Sequence, residues 1–351
     1  MQLSTSVLQS EIMSLALTSL LLGIPLLLAV LYVVDRNQTR HALRRNYPLL
    51  ARFRYLFEHL GEFFRQYFFA MDREEMPFNR AERSWVYRAA KKVDSTIAFG
   101  STRDLKPAGT ILFANCAFPK LQEEGLDTGA VTIGPFSREP YQATSVFHIS
   151  AMSYGAISAP AVLALSQGAK SAGIWMNTGE GGLSAEHLEG GADLIFQIGT
   201  AKYGVRDASG GLCPDRLSQI AAHEQVKMFE IKLSQGAKPG KGGVLPGSKV
   251  NAEVARVRGI PLGEDSLSPN RHPEVSSSED LLDLLETVRS ISGKPVGIKA
   301  VIGDHRWLQA LCSTINERGL ASAPDFITVD GAEGGTGAAP ASLIDYMGLP
   351  L

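Results

Sequence analysis

Cysteine is scarce in this chain. Only Cys116, Cys213 and Cys312 occur among 351 residues, and none stands at the close spacing that zinc or iron-sulfur sites use. A metal site built on them is excluded, and all three are expected to be reduced and structural, buried as free cysteines usually are. An excess of one sign of charge is also missing. The 34 Lys and Arg face 36 Asp and Glu, so no whole-chain field points to nucleic acid or another polyanion. The N-terminus lacks a basic start, a short apolar core and a small-residue cleavage site, which excludes a secretory signal.

Charge is absent altogether from Ile12 to Val34, a leucine-dominated run broken only by Gly23 and Pro25. As a helix it reaches roughly 34 Å, enough to cross a lipid bilayer. Glu11 precedes it, whereas Arg36, Arg40, Arg44, Arg45, Arg52 and Arg54 follow. The positive-inside tendency then predicts a single-pass protein of the cell (inner) membrane, with a short tail over 1–11, a span over 12–34 and the rest in the cytoplasm. From 35 to 110 runs a basic and aromatic helical lead-in, with Arg52 to Phe57 and Gly61 to Phe69 as its clearest stretches. Apolar residues recur there three and four apart, which suits helices lying in the membrane interface or helices packed on the following domain. Arg80 to Tyr87 reads as a further helix.

Glycine is abundant, with 35 residues mostly after position 95, in clusters between short apolar runs. Six of those runs predict strands: Val146–Ile149, Ile174–Asn177, Leu194–Gly199, Lys227–Leu233, Val296–Ile302 and Phe326–Val329. Helical patterns follow several of them, as at Ala161–Ala172, Ser278–Ile291 and His305–Arg318; Ser158 and Pro160 start the first. Such βα repeats imply a parallel sheet. The polar and glycine-rich clusters sit at the C-terminal ends of the runs, where barrel enzymes keep their active sites, so the expected fold is an α/β barrel of the TIM (β/α)8 type. Six strands fall short of eight, so the barrel, over 111–351, is expected to be incomplete and the chain truncated.

Five strings carry a family resemblance: Met152-Ser153-Tyr154-Gly155-Ala156-Ile157-Ser158, Asn177-Thr178-Gly179-Glu180-Gly181-Gly182, Gln235-Gly236-Ala237-Lys238-Pro239-Gly240, Leu245-Pro246-Gly247-Ser248-Lys249-Val250 and Gly334-Gly335-Thr336-Gly337-Ala338-Ala339-Pro340. In this order they resemble the FMN-binding synthase domain of the glutamate synthase large subunit. Asp72 to Arg80 is similar to the lead-in of its stand-alone, membrane-anchored branch.

Small residues after the first strand let backbone amides approach a flat ligand, and the resemblance implies that Ala151, Met152 and Ser153 lie against the FMN ring. A carboxylate and an ammonium facing one pocket can hold a 2-oxo acid and its imine. The resemblance accordingly implies a 2-oxoglutarate site at Glu180, Gln235 and Lys238, with Glu180 and Lys238 as its catalytic pair. Lys232 and Lys299 end or follow strands, and either could place a cation near the flavin; a barrel-interior ion pair with Glu180 or Glu230 is the alternative. Gly334, Gly335, Thr336 and Gly337 resemble the phosphate-side loop, where successive amides can form an anion nest. One departure stands out: Val244 occupies the place where the family usually has Gln before Leu-Pro-Gly.

The implied activity is reduction of 2-iminoglutarate, formed from 2-oxoglutarate and ammonia, to glutamate. Two other readings stay open: a flavin oxidoreductase acting on another 2-oxo acid, amino acid or quinone, and a non-catalytic membrane-tethered fragment. Neither the glutaminase domain nor the cysteine cluster of the large enzymes is in this chain, so no iron-sulfur cluster is expected here, and ammonia and electrons would come from elsewhere, the latter from a donor protein.

Overall fold

A 36-residue helix, α1 (Gln2–Asn37), opens the chain, with Pro25 inside it. The computed structural model describes residues 2–69, 71, 73–94, 96–125, 129–238, 240–337 and 339–351; the side chains of 2–12, 14, 16, 18, 20, 66, 67 and 122 are outside that description. Asp72, Pro239 and Ala338 of the motifs above therefore lie outside the described residues. The chain divides into two units, Met1–Asn115 and Cys116–Leu351.

Among the described residues no helix is long and apolar enough to cross a membrane. The continuously described part of α1 begins at Leu21, and its uncharged stretch to Val34 reaches roughly 21 Å, short of the roughly 30 Å hydrocarbon core. The next residues are Asp35 and Arg36. This overturns the expected single-pass span at 12–34 and the inner-membrane placement built on it; the side chains at 12, 14, 16, 18 and 20 of that span lie outside the described residues. The end of α1 is tied instead to protein groups. Asp35, 1% exposed, accepts from Arg52 Nε and Nη2, both at 2.8 Å, and from the Leu49 N–H at 3.1 Å. That bidentate pairing holds the Asp35 carboxyl below its usual range against the cost of burial. Arg52 belongs to α3 (Leu50–Phe64), which follows α2 (Ala42–Asn46) and runs into a π turn over Arg65–Phe69. α4 (Arg80–Ala90) starts on a capping box, with Asn79 Oδ1 accepting from the Glu82 N–H and Glu82 accepting from the Asn79 N–H.

The second unit begins with an antiparallel pair, β1 (Val131–Ile133) and β2 (Tyr141–Ala143). Then helix and strand alternate: α5 (Ala159–Ala172), β3 (Trp175–Asn177), α6 (Ala185–Gly190), β4 (Asp193–Ile198), α7 (Pro214–Ala221) and β5 (Val226–Lys232). A long excursion carries β6 (Val244–Leu245), α8 (Ala252–Arg258) and β7 (Ser266–Leu267). It is followed by α9 (Ser278–Ser292), β8 (Val296–Val301), α10 (Arg306–Arg318), β9 (Ile327–Asp330) and α11 (Ala341–Ile344).

Strands β3, β4, β5, β8 and β9 lie side by side in chain order, and every pair is parallel. With right-handed crossovers and no reversal of strand order, the helices fall on one face. The sheet must then curl for its other face to be covered, and the result is a five-stranded half-barrel. Five of the six predicted strands are present. The sixth, Val146–Ile149, contributes a single parallel bridge from Ile149 to Met176. Its Val146 and Phe147 point outward, 70% and 78% exposed, and Ser145 caps the Phe147 N–H, so only Ile149 reaches β3.

The outer face of the sheet supplies the core. Met176, Leu194, Phe196, Ile198, Phe229, Ile231 and Ile298 are fully buried, together with Leu217 of α7, Leu282 and Leu285 of α9 and Leu311 of α10. Burial of each such side chain contributes roughly 1.5–3 kcal/mol. The inner face is polar, with Asn177, Gln197, Glu230, Lys232, Lys299 and Thr328 along it. Cys116 and Cys312 are exposed and Cys213 is half-buried, contrary to the expected burial; Cys213 stands just before α7 as its N-cap residue.

Candidate active site at the strand ends

Glu180 follows β3 across a turn that only glycine permits. Gly179 has φ +66°, and a Cβ there would stand 2.5 Å from the Ser153 nitrogen. The Asn177 carboxamide oxygen accepts from the Gly179 N–H at 3.0 Å and holds the turn. The Glu180 side chain packs over Gly199, at the end of β4, where a Cβ would come within 2.3 Å of Oε2.

Lys232, the last residue of β5, donates to Glu180 Oε1 at 2.9 Å and also to the Gln235 carboxamide oxygen. Lys238 completes the group; it is buried, and its charge acts on Glu180. Burial pushes the Glu180 carboxyl up, but Lys232, Lys238 and Arg258 more than offset it and hold the group below the usual carboxylate range. Burial pulls Lys238 below an ordinary lysine, with Glu180 opposing that shift. Thr200 and Asn270 help line the cleft between these groups, whose volume of about 20 Å³ leaves room for about one water. Glu180, Gln235 and Lys238, expected to form one site, are thus together, with Lys232 among them.

The residues expected at the cofactor stand around the same end of the half-barrel. Ala151, Met152 and Ser153 are half-buried, and the Ser153 carbonyl accepts from the N–H groups of Ala156 and Ile157 at 3.0 and 3.1 Å. A Cβ on Gly337 would touch the Ala156 methyl at 3.5 Å, so the turn after Ile149 and the loop Gly334–Gly337 approach each other across the mouth. Gly236 packs on the Gly331 carbonyl so closely that a Cβ would overlap it, and its N–H donates to Asp330 Oδ2 at 3.0 Å. Lys299 lies 3.6 Å from that same oxygen. The two lysines are therefore separated in role: Lys232 is paired with Glu180, and Lys299 faces Asp330.

Residues 124–351 match the conserved region in glutamate synthase. The chain belongs to the glutamate synthase family. It is 38% identical over 384 residues to the glutamate synthase large subunit-like protein YerD of Bacillus subtilis, covering 97% of this chain and 72% of that protein. The archaeal-type glutamate synthase [NADPH] of Thermotoga maritima is 39% identical over 204 residues, 58% of this chain and 36% of that one. A glutamate synthase large subunit-like protein of Rhizobium meliloti is 30% identical over 257 residues, 72% of this chain and 54% of its own length. The chain thus spans about a third of the archaeal-type enzyme. Glutamate synthases are oxidoreductases, which places the chain in an enzyme family.

Several participants carried no legible signal. Gly199 and Asp330 sit at the ends of strands that were read from their apolar runs alone. Thr200, Asn270 and His272 come from loops with no motif. Arg258, on α8, donates to the Tyr154 carbonyl at 3.1 Å and to Ser266 Oγ at 3.0 Å and lies over the Tyr203 ring at 5.0 Å. It ties together three segments whose proximity no spacing announces. Val244, the departure from the family motif, lies on β6 opposite Leu267, 47% exposed, while its neighbour Gly243 lines the cleft.

Proposed function

We propose that residues 111–351 form a glutamate synthase-like FMN oxidoreductase that reduces 2-iminoglutarate, formed from 2-oxoglutarate and ammonia, to glutamate. The observation that carries this reading is the Glu180–Lys232–Gln235–Lys238 group at the C-terminal ends of β3 and β5, where barrel enzymes do their chemistry. The surroundings fit a flat anionic cofactor where the glycine backbone is open, as at Gly335, around which no described residue lies within 4 Å, and Lys299 stands beside Asp330 at the same end of the sheet. FMN, when bound, would supply the hydride. Ala151, Met152 and Ser153 would line its ring, Lys299 would face it, and Gly334, Gly335, Thr336 and Gly337 would stand on its phosphate side.

The chain's own residues account for the remaining chemistry. Lys238 pairs with a carboxylate of the 2-oxo acid, and Gln235 orients it. Condensation of the keto carbon with ammonia releases water and leaves a C=N bond. Glu180, held anionic by its lysines, stabilises the protonated imine nitrogen. Hydride addition at carbon then completes the amino acid. Electrons enter from a separate donor protein.

The test is the visible spectrum of the purified chain, followed by reoxidation of its reduced flavin. Reoxidation that needs both 2-oxoglutarate and ammonia supports the reading; a flavin-free chain, or a bound flavin indifferent to that pair, sinks it. A second reading, a flavin oxidoreductase for another 2-oxo acid, amino acid or quinone, is favoured by Val244 beside the cleft. It predicts reoxidation by one of those compounds instead.

A further inference from the structure

We propose that His272 is a positioning residue for the Lys232–Glu180 pair. Its imidazole holds the Lys232 carbonyl and so sets where the Lys232 ammonium stands. His272 lies on the segment between β7 and α9 and is 1% exposed. Its Nε2 is 3.0 Å from the carbonyl oxygen of Lys232. A carbonyl only accepts, so Nε2 carries the hydrogen and donates.

The other ring nitrogen is then a bare acceptor. Nδ1 is buried and has no hydrogen-bond partner among the described residues; Glu274 Oε1 is 4.0 Å away. Glu274 is itself taken by Lys202, at 3.0 Å. The charged groups acting on the ring are thus Lys202, Glu274 and, further off, Glu180. Burial and Lys202 keep the imidazole neutral, which leaves one donor, and it is spent on Lys232.

That carbonyl needs an outside partner for a topological reason. β4 ends at Ile198, whose partner is Ile231, so no residue of β4 stands opposite Lys232. On the other side the chain is already leaving the sheet, with both Leu233 and Ser234 donating to the Lys299 carbonyl. Without His272, the last residue of β5 would keep a buried acceptor unsatisfied at the position that aims the ammonium. The same strand end starts the loop that carries Gln235 and Lys238, so one hydrogen bond orients three members of the cleft. Its consequence for turnover rests on the function proposed above.

The test uses the full chain and two variants that differ by one methylene. His272→Gln can still reach the Lys232 carbonyl with an N–H, whereas the His272→Asn amide is too short. Each lysine's rate of acetylation by an amine-reactive ester is read by mass spectrometry. Asn is expected to raise the Lys232 rate about tenfold, and Gln to keep it within about twofold of wild type. Lys294, whose ammonium donates to the carbonyls of Ala221, His223 and Val226, should stay protected in both and report an intact sheet. Equal Lys232 rates in all three proteins, a Gln variant as reactive as Asn, or Lys294 rising in step with Lys232 would each overturn the proposal. In flavin-retaining protein the KM for 2-oxoglutarate should rise with Asn and recover with Gln, with kcat moving less. If wild type shows no turnover, the proposed function fails, and the labelling still decides the role of His272.

Discussion

Thr328 donates to Glu230 Oε2 at 2.6 Å, although the two residues are 98 positions apart and their strands are not neighbours. β8 runs between β5 and β9, and the residue in register with Glu230 is Gly297. With no side chain there, the Glu230 carboxyl can reach over β8, and the space a Cβ would fill belongs to the Phe326 ring. Glu230 Oε1 accepts from Asn177 at 2.9 Å and Gln197 at 2.6 Å. One buried side chain thereby links β3, β4, β5 and β9 from inside the curl.

Replacing that hub should loosen the whole half-barrel. Glu230→Ala strands two buried polar groups, Asn177 and Gln197, and the half-buried Thr328 hydroxyl and is expected to cost about 3 kcal/mol, whereas Thr328→Val, which removes one donor, should cost about 1 kcal/mol. Urea unfolding of both variants measures this, and equal stabilities would refute the hub.

The close backbone approach at Gly236 makes a contrast with Gly335. A Cβ on Gly236 would overlap the Gly331 carbonyl, whereas around Gly335 no described residue lies within 4 Å. Gly236→Ala should therefore lower stability by about 2–3 kcal/mol and displace Asp330 from its N–H, while Gly335→Ala should stay within about 0.5 kcal/mol of wild type. Thermal unfolding separates the two.

Acid should act on the Glu180–Lys232 pair. The Glu180 carboxyl titrates lower in the folded chain than the usual 4.5, so the unfolded chain binds the proton first as pH falls. Its contribution is full above about pH 4.5 and is lost as pH drops through the lower folded value. Glu180→Gln should flatten this part of the stability profile, and a variant with the wild-type slope below pH 4.5 would show that the pair is not formed.

His187 governs a higher window. It is fully buried, its Nδ1 accepting from the Ser184 N–H at 3.2 Å, and burial pushes it from 6.5 to about 4. The unfolded chain takes up this proton first, so stability should fall by about 3 kcal/mol as pH drops from 6.5 to 4 and level off below. Denaturation of wild type and His187→Gln across that range checks it, because the variant loses the His187 share of the slope while His272, also lowered by burial, keeps its own.

Much of the barrel was legible because burial imposes a period. Leu194 to Ile198 and Val296 to Val301 are covered by helices on one side and by the curl on the other, so they read as nearly unbroken apolar runs. α5, α9 and α10 were readable as helical patterns following the strands, the first with Ser158 and Pro160 ahead of it. Val146–Ile149 has the same composition but only Ile149 finds a neighbour, and composition carries no record of whether a partner strand is present. The expected span at 12–34 fails on length and apolarity, because no helix among the described residues is long and apolar enough to cross a membrane.

The sequence by itself determined the βα order, the glycine-bordered turns and the residue types of the cleft, because these follow from local periodicity and from backbone conformations that only glycine adopts readily. It also carried the motifs that relate the chain to glutamate synthases. Which lysine meets Glu180, why Lys299 turns to Asp330, and how His272 and Arg258 come to the strand ends were decided only by tertiary structure. Those contacts join segments separated by tens of residues. Their energy depends on distance, burial and strand register, none of which exists until the sheet has curled.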